Sequence, residues 1–373
     1  MWRSLVVVTP AGCGRIGFGT IGVATGDGGD GGGDGSTTCD GLTDVGCACT
    51  DFTVDLPLMT IALAPVVFTG HEFLVAVDAN GSQSIQTIHL DGTLGITVPV
   101  VADTSATLYA RSFAWNGSVL GLDYAIGNTL HFAVYDPQQG KIVVDTVVAG
   151  SAQFPHLMWA GDRFALTWDG GSVEHVREVD VTGAAIGNEI QIPVTAHYQT
   201  DSETATSAGY AFGVRGMTNS NPLVLIGNRP DFTPNQFTPD VPLANTFIQA
   251  VAGAGGFAVH AADCQSDKIQ VLSPSGSATT SGVPVPTSYN GCGIAGTPSH
   301  YELVGVISGS PNQLVERTFD NGVFSAPVQV ATYPGSTLGW AYPTVVATDR
   351  RVIFASGYGT TSTDTLTFGQ RCK

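Results

Sequence analysis

The chain has 373 residues, 43% of them hydrophobic and 12% charged, and its 31 acidic residues outnumber its 14 basic ones to give a net charge of −17. This charge excludes the basic footprint that nucleic-acid binding requires, and it disfavours electrostatic attachment to anionic membranes. No run of about 18 apolar residues is present, so the sequence predicts no transmembrane helix, and any attachment to lipid would be covalent.

The first thirteen residues predict export. Arg3 precedes a short apolar run, and Ala11 and Gly12 stand directly before Cys13. This order resembles the signal of bacterial lipoproteins, in which the cysteine that follows small residues is lipidated and becomes the mature N-terminus. We therefore expect residues 1–13 to be a signal peptide and Cys13 to carry the lipid. Ordinary cleaved secretion and a cysteine without a special role are the alternatives.

Residues 14–51 predict a linker. They are rich in Gly and Asp and contain Cys39, Cys47 and Cys49. Gly-rich sequence cannot repay the entropy lost on ordering, and like charges extend it. The glycines match a dinucleotide-binding fingerprint in spacing alone, because they neither follow a strand nor open a helix. The aspartates lack the distal Glu of a calcium loop. We therefore expect a tether with no cofactor and no metal.

One two-strand pattern recurs seven times through residues 52–373. Each copy is an apolar strand, a tight turn rich in Gly or Asp, and a second apolar strand, as in PHLMWAGDRFALTW and PTVVATDRRVIFAS. The first apolar residues after the seven turns, taken as anchors about 46 residues apart, are Phe73, Val119, Phe164, Ala211, Phe257, Tyr301 and Val352. Two further strands follow most anchors. Each repeat is therefore predicted to be a four-stranded antiparallel blade.

The fold prediction is all-β, a seven-bladed β-propeller. The seventh repeat supplies only three strands, and the extended segment FTVDLPL at 52–58 precedes the first repeat. We expect this N-terminal strand to complete the last blade and close the ring, because an open array would expose sheet edges. Repeat-bearing β-sandwiches in tandem are the alternative. In repeat four, RPDFTPNQFTPDVP is expected to replace a regular outer strand with a loop.

Seven cysteines in an exported chain predict disulfides, and a lipidated Cys13 leaves six. Cys264 follows the second strand of repeat five, and Cys292 precedes the first strand of repeat six, so these two are predicted to pair. Cys372 is predicted to pair with Cys39, Cys47 or Cys49 and to reinforce the closure. The remaining two could then bond to each other. A zinc site is the alternative, but CAC lacks the usual two-residue spacer.

The search for catalytic motifs finds none that is complete. No G-x-S-x-G elbow is present, and the pair His71-Glu72 lacks the second histidine of a zinc protease. The other histidines are scattered over the repeats and are expected to share no task. Trp115 and Trp159 occupy equivalent places and are predicted to pack between blades. Sugar stacking stays open for Trp168 and Trp340.

The blade pattern resembles that of TolB-type propellers and of β-propeller repeat lipoproteins of myxobacteria-like Gram-negative bacteria. The resemblance covers about residues 52–370. It implies a propeller fold and a cell-envelope location, as an outer-membrane lipoprotein or a secreted protein. It implies no activity.

The functional expectation is a tethered propeller that binds or scaffolds an unknown protein or glycan ligand at the mouth of the central channel. The alternative is a glycan-active hydrolase or lyase with its site at the same mouth. Counting back from the anchors to the starts of the inner strands gives the candidate ligand-binding residues Arg111, His156, Glu203, Gln249 and Thr344, with Cys292 beside them. These residues could equally be ordinary polar strand starts.

Overall fold

A computed structural model of the chain describes the residues that form the repeats and leaves residues 1–49 outside its scope. The described ranges are 50–58, 65–79, 82–101, 106–108, 113–170, 173–193, 198–206, 209–216, 223–228, 235–237, 248–254, 256–261, 268–286, 289, 291–309, 311–333, 343–348, 350–360 and 363–373.

All regular structure in these ranges is β-strand. The first half of the chain contains β1 (Phe52–Leu58), β2 (Val66–Phe68), β3 (Glu72–Ala79), β4 (Ser82–His89), β5 (Leu94–Pro99), β6 (Ala106–Thr107), β7 (Phe113–Trp115), β8 (Leu120–Ile126), β9 (Thr129–Asp136), β10 (Lys141–Ala149), β11 (Gln153–Trp159), β12 (Phe164–Asp169), β13 (Val173–Val179) and β14 (Ile190–Pro193). The second half contains β15 (Tyr198–Thr206), β16 (Gly209–Gly216), β17 (Leu223–Asn228), β18 (Asn235–Phe237), β19 (Ile248–Gly253), β20 (Gly256–Ala261), β21 (Lys268–Leu272), β22 (Val283–Pro284), β23 (Cys292–Gly296), β24 (Tyr301–Ile307), β25 (Asn312–Asp320), β26 (Val323–Phe324), β27 (Val328–Tyr333), β28 (Thr344–Ala347), β29 (Arg351–Thr360) and β30 (Thr363–Cys372).

The strands form seven antiparallel sheets, and each sheet contains one of the predicted repeats. Blades 1 to 6 are β2–β5, β6–β10, β11–β14, β15–β18, β19–β22 and β23–β27, and blade 7 has the order β1-β30-β29-β28. The first strands of successive blades contact one another all the way round, from β2 through β28 and back to β2. These first strands therefore surround the axis of a closed propeller, and the predicted fold class is confirmed.

The predicted closure of the ring is confirmed. β1 pairs antiparallel with β30 from Phe52 opposite Gln370 to Leu58 opposite Asp364. The side-chain amide of Gln370 donates to the carbonyl of Thr50 at 2.9 Å, and the hydroxyl of Thr367 donates to Asp55 at 2.8 Å. The N-terminal strand is thus the outermost strand of the last blade.

A recurring side-chain turn joins the first strand of a blade to the second. The hydroxyl of Thr69 accepts hydrogen bonds from the backbone N–H groups of His71 and Glu72. Thr297 and Thr348 do the same in blades 6 and 7, and the Asn116 carboxamide does so in blade 2. Short polar side chains that bind their own backbone in this way favour tight turns over continued strand. This local chemistry places the anchor residues at equivalent points.

Glycines allow the inner strands to approach closely near the axis. A Cβ on Gly293 would lie 1.9 Å from the carbonyl oxygen of Pro343 in the next blade, and one on Gly253 would lie 2.6 Å from the Cα of Gly296. No side chain fits at either distance. Farther from the axis, larger side chains on the second and third strands fill the wider space between neighbouring blades. Phe73, Phe132 and Tyr210 are among the fully buried ones.

Two anchors and one outer strand differ from the sequence prediction. The other anchors stand five residues after the inner-strand residue with which they pair. By that criterion the anchors are Leu120 in blade 2 and Tyr210 in blade 4, each one position from the predicted Val119 and Ala211. Polar and small residues around these turns obscured the strand starts. Blade 4 also has an outer strand, the three-residue β18, where a loop was expected.

Candidate functional site

Four of the five predicted ligand-binding residues lie in the inner strands of their blades. His156 lies in β11, Glu203 in β15, Gln249 in β19 and Thr344 in β28, while Arg111 lies outside the described residues. The structure describes the backbone of Glu203 and Gln249 but not the placement of their side chains.

Strand register shows which of these residues are equivalent. His156, Gln249 and Thr344 each lie three residues before the inner-strand residue that pairs with the anchor. In blade 4 that position belongs to Ser202, which pairs with Gly213, so Glu203 is one residue out of register. The shifted anchor in repeat four accounts for this difference.

The two predicted site residues whose side chains are described are both buried. The exposed fraction of His156 is 7% and that of Thr344 is 1%. Cys292 is also buried, and its Sγ lies 3.9 Å from Nδ1 of the buried His260 in the preceding blade. Cys292 therefore contacts the preceding blade, and His156 and Thr344 are largely screened from solvent.

Both cysteines that the structure describes, Cys292 and Cys372, are disulfide-bonded. Cys13, Cys39, Cys47, Cys49 and Cys264 lie outside the described residues. The predicted pair of Cys264 with Cys292, and that of Cys372 with an N-terminal cysteine, stay predictions.

A buried charged cluster lies where blade 6 meets blade 7. Glu302 in β24 is fully buried, and its carboxylate contacts Nε2 of His300 at 2.5 Å and the ammonium of Lys373. The hydroxyl of Thr318 donates to the same carboxylate at 3.1 Å. Arg371 of β30 pairs with the buried Glu316 on the neighbouring strand. Sequence analysis missed this cluster, because its ion pairs join residues that are 55 and 71 positions apart in the chain.

Burial dominates the electrostatics of this cluster. Loss of hydration raises the pKa of Glu302 to about 7, while the hydrogen bond and the charge of Lys373 act in the opposite direction. A carboxyl group that titrates near neutrality is a common feature of functional sites and of buried ion-pair networks. Here the described partners of the two carboxylates lie at the contact between blades 6 and 7. The geometry therefore favours a structural role, in which the cluster holds the two blades together.

Two histidines share an arrangement that the sequence analysis did not expect. Tyr124 stacks on His131, and Nδ1 of His131 lies 3.2 Å from Asp145, which also accepts a 2.7 Å hydrogen bond from the hydroxyl of Tyr124. In the next blade Trp168 stacks on His175, and Nδ1 of His175 lies 2.8 Å from Glu189. Each set links the second, third and outer parts of one blade. His131 and His175 therefore occupy equivalent packing positions in blades 2 and 3.

The tryptophans serve packing. Trp115 is buried in the core cluster shared by blades 7, 1 and 2, so its predicted inter-blade role is confirmed. Trp159 packs edge-on against Phe164 of its own blade, beside the cluster that blades 2 and 3 share. Trp168 is buried with its ring parallel to His175 at 5.1 Å, which leaves no open face for a sugar. Trp340 lies outside the described residues.

Among the described residues, no group of three or more His, Cys, Asp or Glu side chains is placed to hold a metal ion. Within the same residues there is also no helix with the length and apolar character needed to cross a membrane.

No protein-family model matches the sequence, and no curated protein matches it at a significant level.

Solved structures with a similar fold do exist. A structure from a study of two prolyl endopeptidases superposes with a TM-score of 0.53 at 11% identity and covers 87% of this chain; the present chain spans 50% of that one. The hydrazine synthase of Kuenenia stuttgartiensis gives a TM-score of 0.51 at 9% identity, covering 70% of this chain and 78% of that one. The β-propeller domain of the trilobed protease from Pyrococcus furiosus gives 0.49 at 10% identity, covering 74% and 84%. At these identities the likeness concerns the fold alone.

Proposed function

We propose that this protein is a propeller of the cell envelope that binds or scaffolds a ligand at the end of the ring where the inner strands begin. The observation that carries the proposal is the shared register of His156, Gln249 and Thr344, three different polar residues at one position of a repeated blade. Packing alone favours one residue type at equivalent positions of a repeat, whereas recognition of a ligand requires a different group from each blade.

The position of β1 supports a tether. This strand is the outermost strand of blade 7, so the chain reaches the ring at its rim, at Thr50, and not at the axis. A linker that arrives at the rim leaves both ends of the central channel accessible to a ligand. The predicted lipidation of Cys13 is compatible with this geometry. With the lipid the protein would be held at the outer membrane, and without it the protein would be secreted.

The tether is tested by fractionation of cells that express the full-length chain. Cys13→Ser should move the protein from the membrane fraction to the soluble fraction, and Cys264→Ser, which removes a different predicted cysteine function, should not. Equal membrane retention of the wild type and the Cys13→Ser variant would contradict lipidation.

Ligand binding at the end of the ring where the inner strands begin is tested on arrays of purified glycans and envelope extracts. Arg111→Ala combined with Gln249→Ala should abolish retention and leave the melting temperature nearly unchanged. The matched control is Arg350→Ala combined with Gln138→Ala, which removes one Arg and one Gln from exposed turns away from the inner strands. Undiminished retention by the first variant would remove the site.

The same arrays separate a binder from the enzymatic alternative. A binding protein retains the ligand unchanged. Reproducible release of shorter products from a polysaccharide, lost in the Arg111 and Gln249 variant, would replace the binding proposal with a glycan-active hydrolase or lyase.

A further inference from the structure

Among the described residues the longest outer strand belongs to blade 2. Outer strands are sheet edges, and proteins generally keep such edges short or covered to prevent pairing with other chains. The outer strands of blades 3, 4 and 5 have four, three and two residues, and those of blades 1, 6 and 7 have six, six and seven, whereas β10 has nine. In the described part of the chain no strand pairs with its outer edge. β10 therefore presents a long row of backbone groups to a partner.

Exposed apolar side chains lie on β10 and on the blades to either side of it. Val143 and Val147 of β10 are exposed, as are Leu94 and Ile96 of β5 and Val181 in blade 3. Ile96 reaches within 3.3 Å of the Cβ position of Gly140, at the turn that leads into β10. On the other side Val144 and Thr146 approach the Cβ position of Gly183 at 3.1 and 2.9 Å. We call this band of exposed side chains, Leu94, Ile96, Val143, Val147 and Val181, the apolar rim.

The central strand of the rim is held in place from beneath. The fully buried Tyr124 donates a 2.7 Å hydrogen bond to Asp145, and His131 contacts the same carboxylate at 3.2 Å. The edge is therefore prepared for a partner before binding, which reduces the entropy lost on association.

Carboxylates surround the apolar rim. Asp91, Asp136 and Asp180 occupy the turns that precede the outer strands of blades 1, 2 and 3, and Asp145 lies on β10 itself. Hydrogen bonds from the hydroxyls of Thr93 and Thr182 lower the pKa of Asp91 and Asp180, so both stay ionised at neutral pH. Lys141 is the cation at the start of β10. The whole chain carries a net charge of −17, so the field around the rim is also negative.

From these features we propose that the apolar rim docks an extended segment of a partner protein in which basic and apolar residues alternate. The segment would add a strand to the edge of β10. Its apolar side chains would lie on the face that carries Val143 and Val147, and its basic side chains on the opposite face, toward Asp180 of blade 3. Main-chain hydrogen bonds supply affinity in this mode of recognition, and alternate side chains supply specificity. This docking rests on the proposed binding function, but it uses a different surface from the end of the ring where the inner strands begin.

The test uses the full chain and a fluorescent ten-residue peptide of five Lys-Val repeats, followed by anisotropy. A peptide of five Glu-Val repeats should bind at least tenfold more weakly. An increase in salt from about 50 to 500 mM should weaken the Lys-Val peptide several-fold, because the exposed charges are then screened. Hydrogen exchange of the amides in 141–149 should slow when the peptide is bound.

Val143→Thr combined with Val147→Thr should weaken the Lys-Val peptide at least tenfold, since the shape is kept while the apolar contact is lost. The matched control is Val323→Thr combined with Val328→Thr, which changes two exposed valines on the outer strands of blade 6. It should change binding less than twofold. Unaltered melting temperatures show that both variants fold.

Several results would overturn the proposal. Equal loss in the two valine variants, or equal binding of the Glu-Val peptide, would mean that the peptide binds without using the rim. A concentration-dependent dimer that disappears in the Val143 and Val147 variant would make a second copy of this chain the occupant. Binding of neutral phosphatidylcholine vesicles that is lost in the same variant would make a membrane the occupant of the apolar rim. The Arg111 and Gln249 variant should bind the peptide like wild type. Loss of ligand binding where the inner strands begin and loss of peptide binding at the apolar rim are therefore distinguishable.

Discussion

Blade 7 meets its two neighbours through interfaces of opposite character. Toward blade 1 the contact is aromatic: Phe73 lies 5.1 Å from Phe68 and from Phe368, and 5.9 Å from Phe52 of the closing strand. Toward blade 6 the contact is ionic, with Glu302, His300 and Lys373 in one group and Glu316 with Arg371 in another. The apolar interface gains stability from burial alone, whereas the ionic one offsets the cost of dehydrated charge with partners. The comparison teaches that one ring can be closed by two mechanisms with different responses to pH.

The largest effect is expected at the aromatic interface. Phe73→Ala removes a fully buried ring from the contact of three other phenyl groups and leaves a cavity. The free energy of unfolding should fall by about 4 kcal/mol, measured by urea denaturation. Val323→Ala, at an exposed position, is the control and should stay within about 0.5 kcal/mol of wild type. A Phe73→Ala loss as small as the control would mean that the aromatic contact does not hold blades 7 and 1 together.

The ionic interface should make stability depend on pH. The pKa of Glu302 is about 7 in the folded chain against 4.5 for an ordinary Glu, so its contribution is complete below pH 4.5 and is lost as the pH rises through 7. The free energy of unfolding should therefore decrease from pH 5 to pH 8, by on the order of 2 kcal/mol from this group. Glu302→Gln should flatten the curve, and Phe73→Ala should leave its slope unchanged. A wild-type curve that rises over this range in parallel with that of Glu302→Gln would contradict the assignment.

Removal of the cation sharpens the same comparison. Lys373→Met withdraws the ammonium that favours the ionised form of Glu302, so the pKa of Glu302 should rise further. At pH 8 the variant should lose about 1.5 kcal/mol, the scale of a hydrogen bond to a charged group. At pH 5, where the carboxyl is protonated, the loss should be smaller. Lys141→Met, which removes an exposed lysine, is the control. Equal losses at both pH values would show that Lys373 acts through packing only.

The smallest effect is expected at a neutral polar contact between blades 5 and 6. The hydroxyl of Tyr301 donates a 2.6 Å hydrogen bond to the carbonyl of Gly253 in the preceding blade. Tyr301→Phe should cost about 1 kcal/mol at every pH from 5 to 8 and at low and high salt. A loss that varies with pH would couple this contact to Glu302, the next residue along β24, and would weaken the distinction between neutral and ionic interfaces.

The number of blades and their closure could be predicted because both depend on local signals. A turn such as Thr69-Gly-His-Glu72 is formed by its own side chains, and a missing strand in the last repeat is visible by counting. Strand starts were less certain where turn and strand share small residues. Ala211 was taken as an anchor in place of Tyr210, and this single step moved Glu203 out of the shared register.

The ionic cluster could not be predicted, because it depends on how the ring brings distant segments together. Glu302 and Lys373 are separated by 71 residues, and neither position carries a motif. The stacked histidines were predictable in principle. In both blades the histidine follows its aromatic partner by seven residues and precedes its carboxylate by fourteen, as the pairs Tyr124 with His131 and His175 with Glu189 illustrate. Alignment of repeats two and three would have shown that spacing.

The pairing of β1 with β30 also has a mechanical consequence. Thr50 and Cys372 lie at the same end of this antiparallel pair, where the backbone N–H of Cys372 donates to Asp51 at 2.7 Å. A force that pulls the N-terminal side away from the C-terminal side acts on one rung of the ladder at a time, as in unzipping, which is the weakest direction for a pair of strands. Cys372 is disulfide-bonded at that end of the ladder. If its partner is Cys39, Cys47 or Cys49, tension on the tether is borne by a covalent bond before it reaches the first hydrogen bond of the closure.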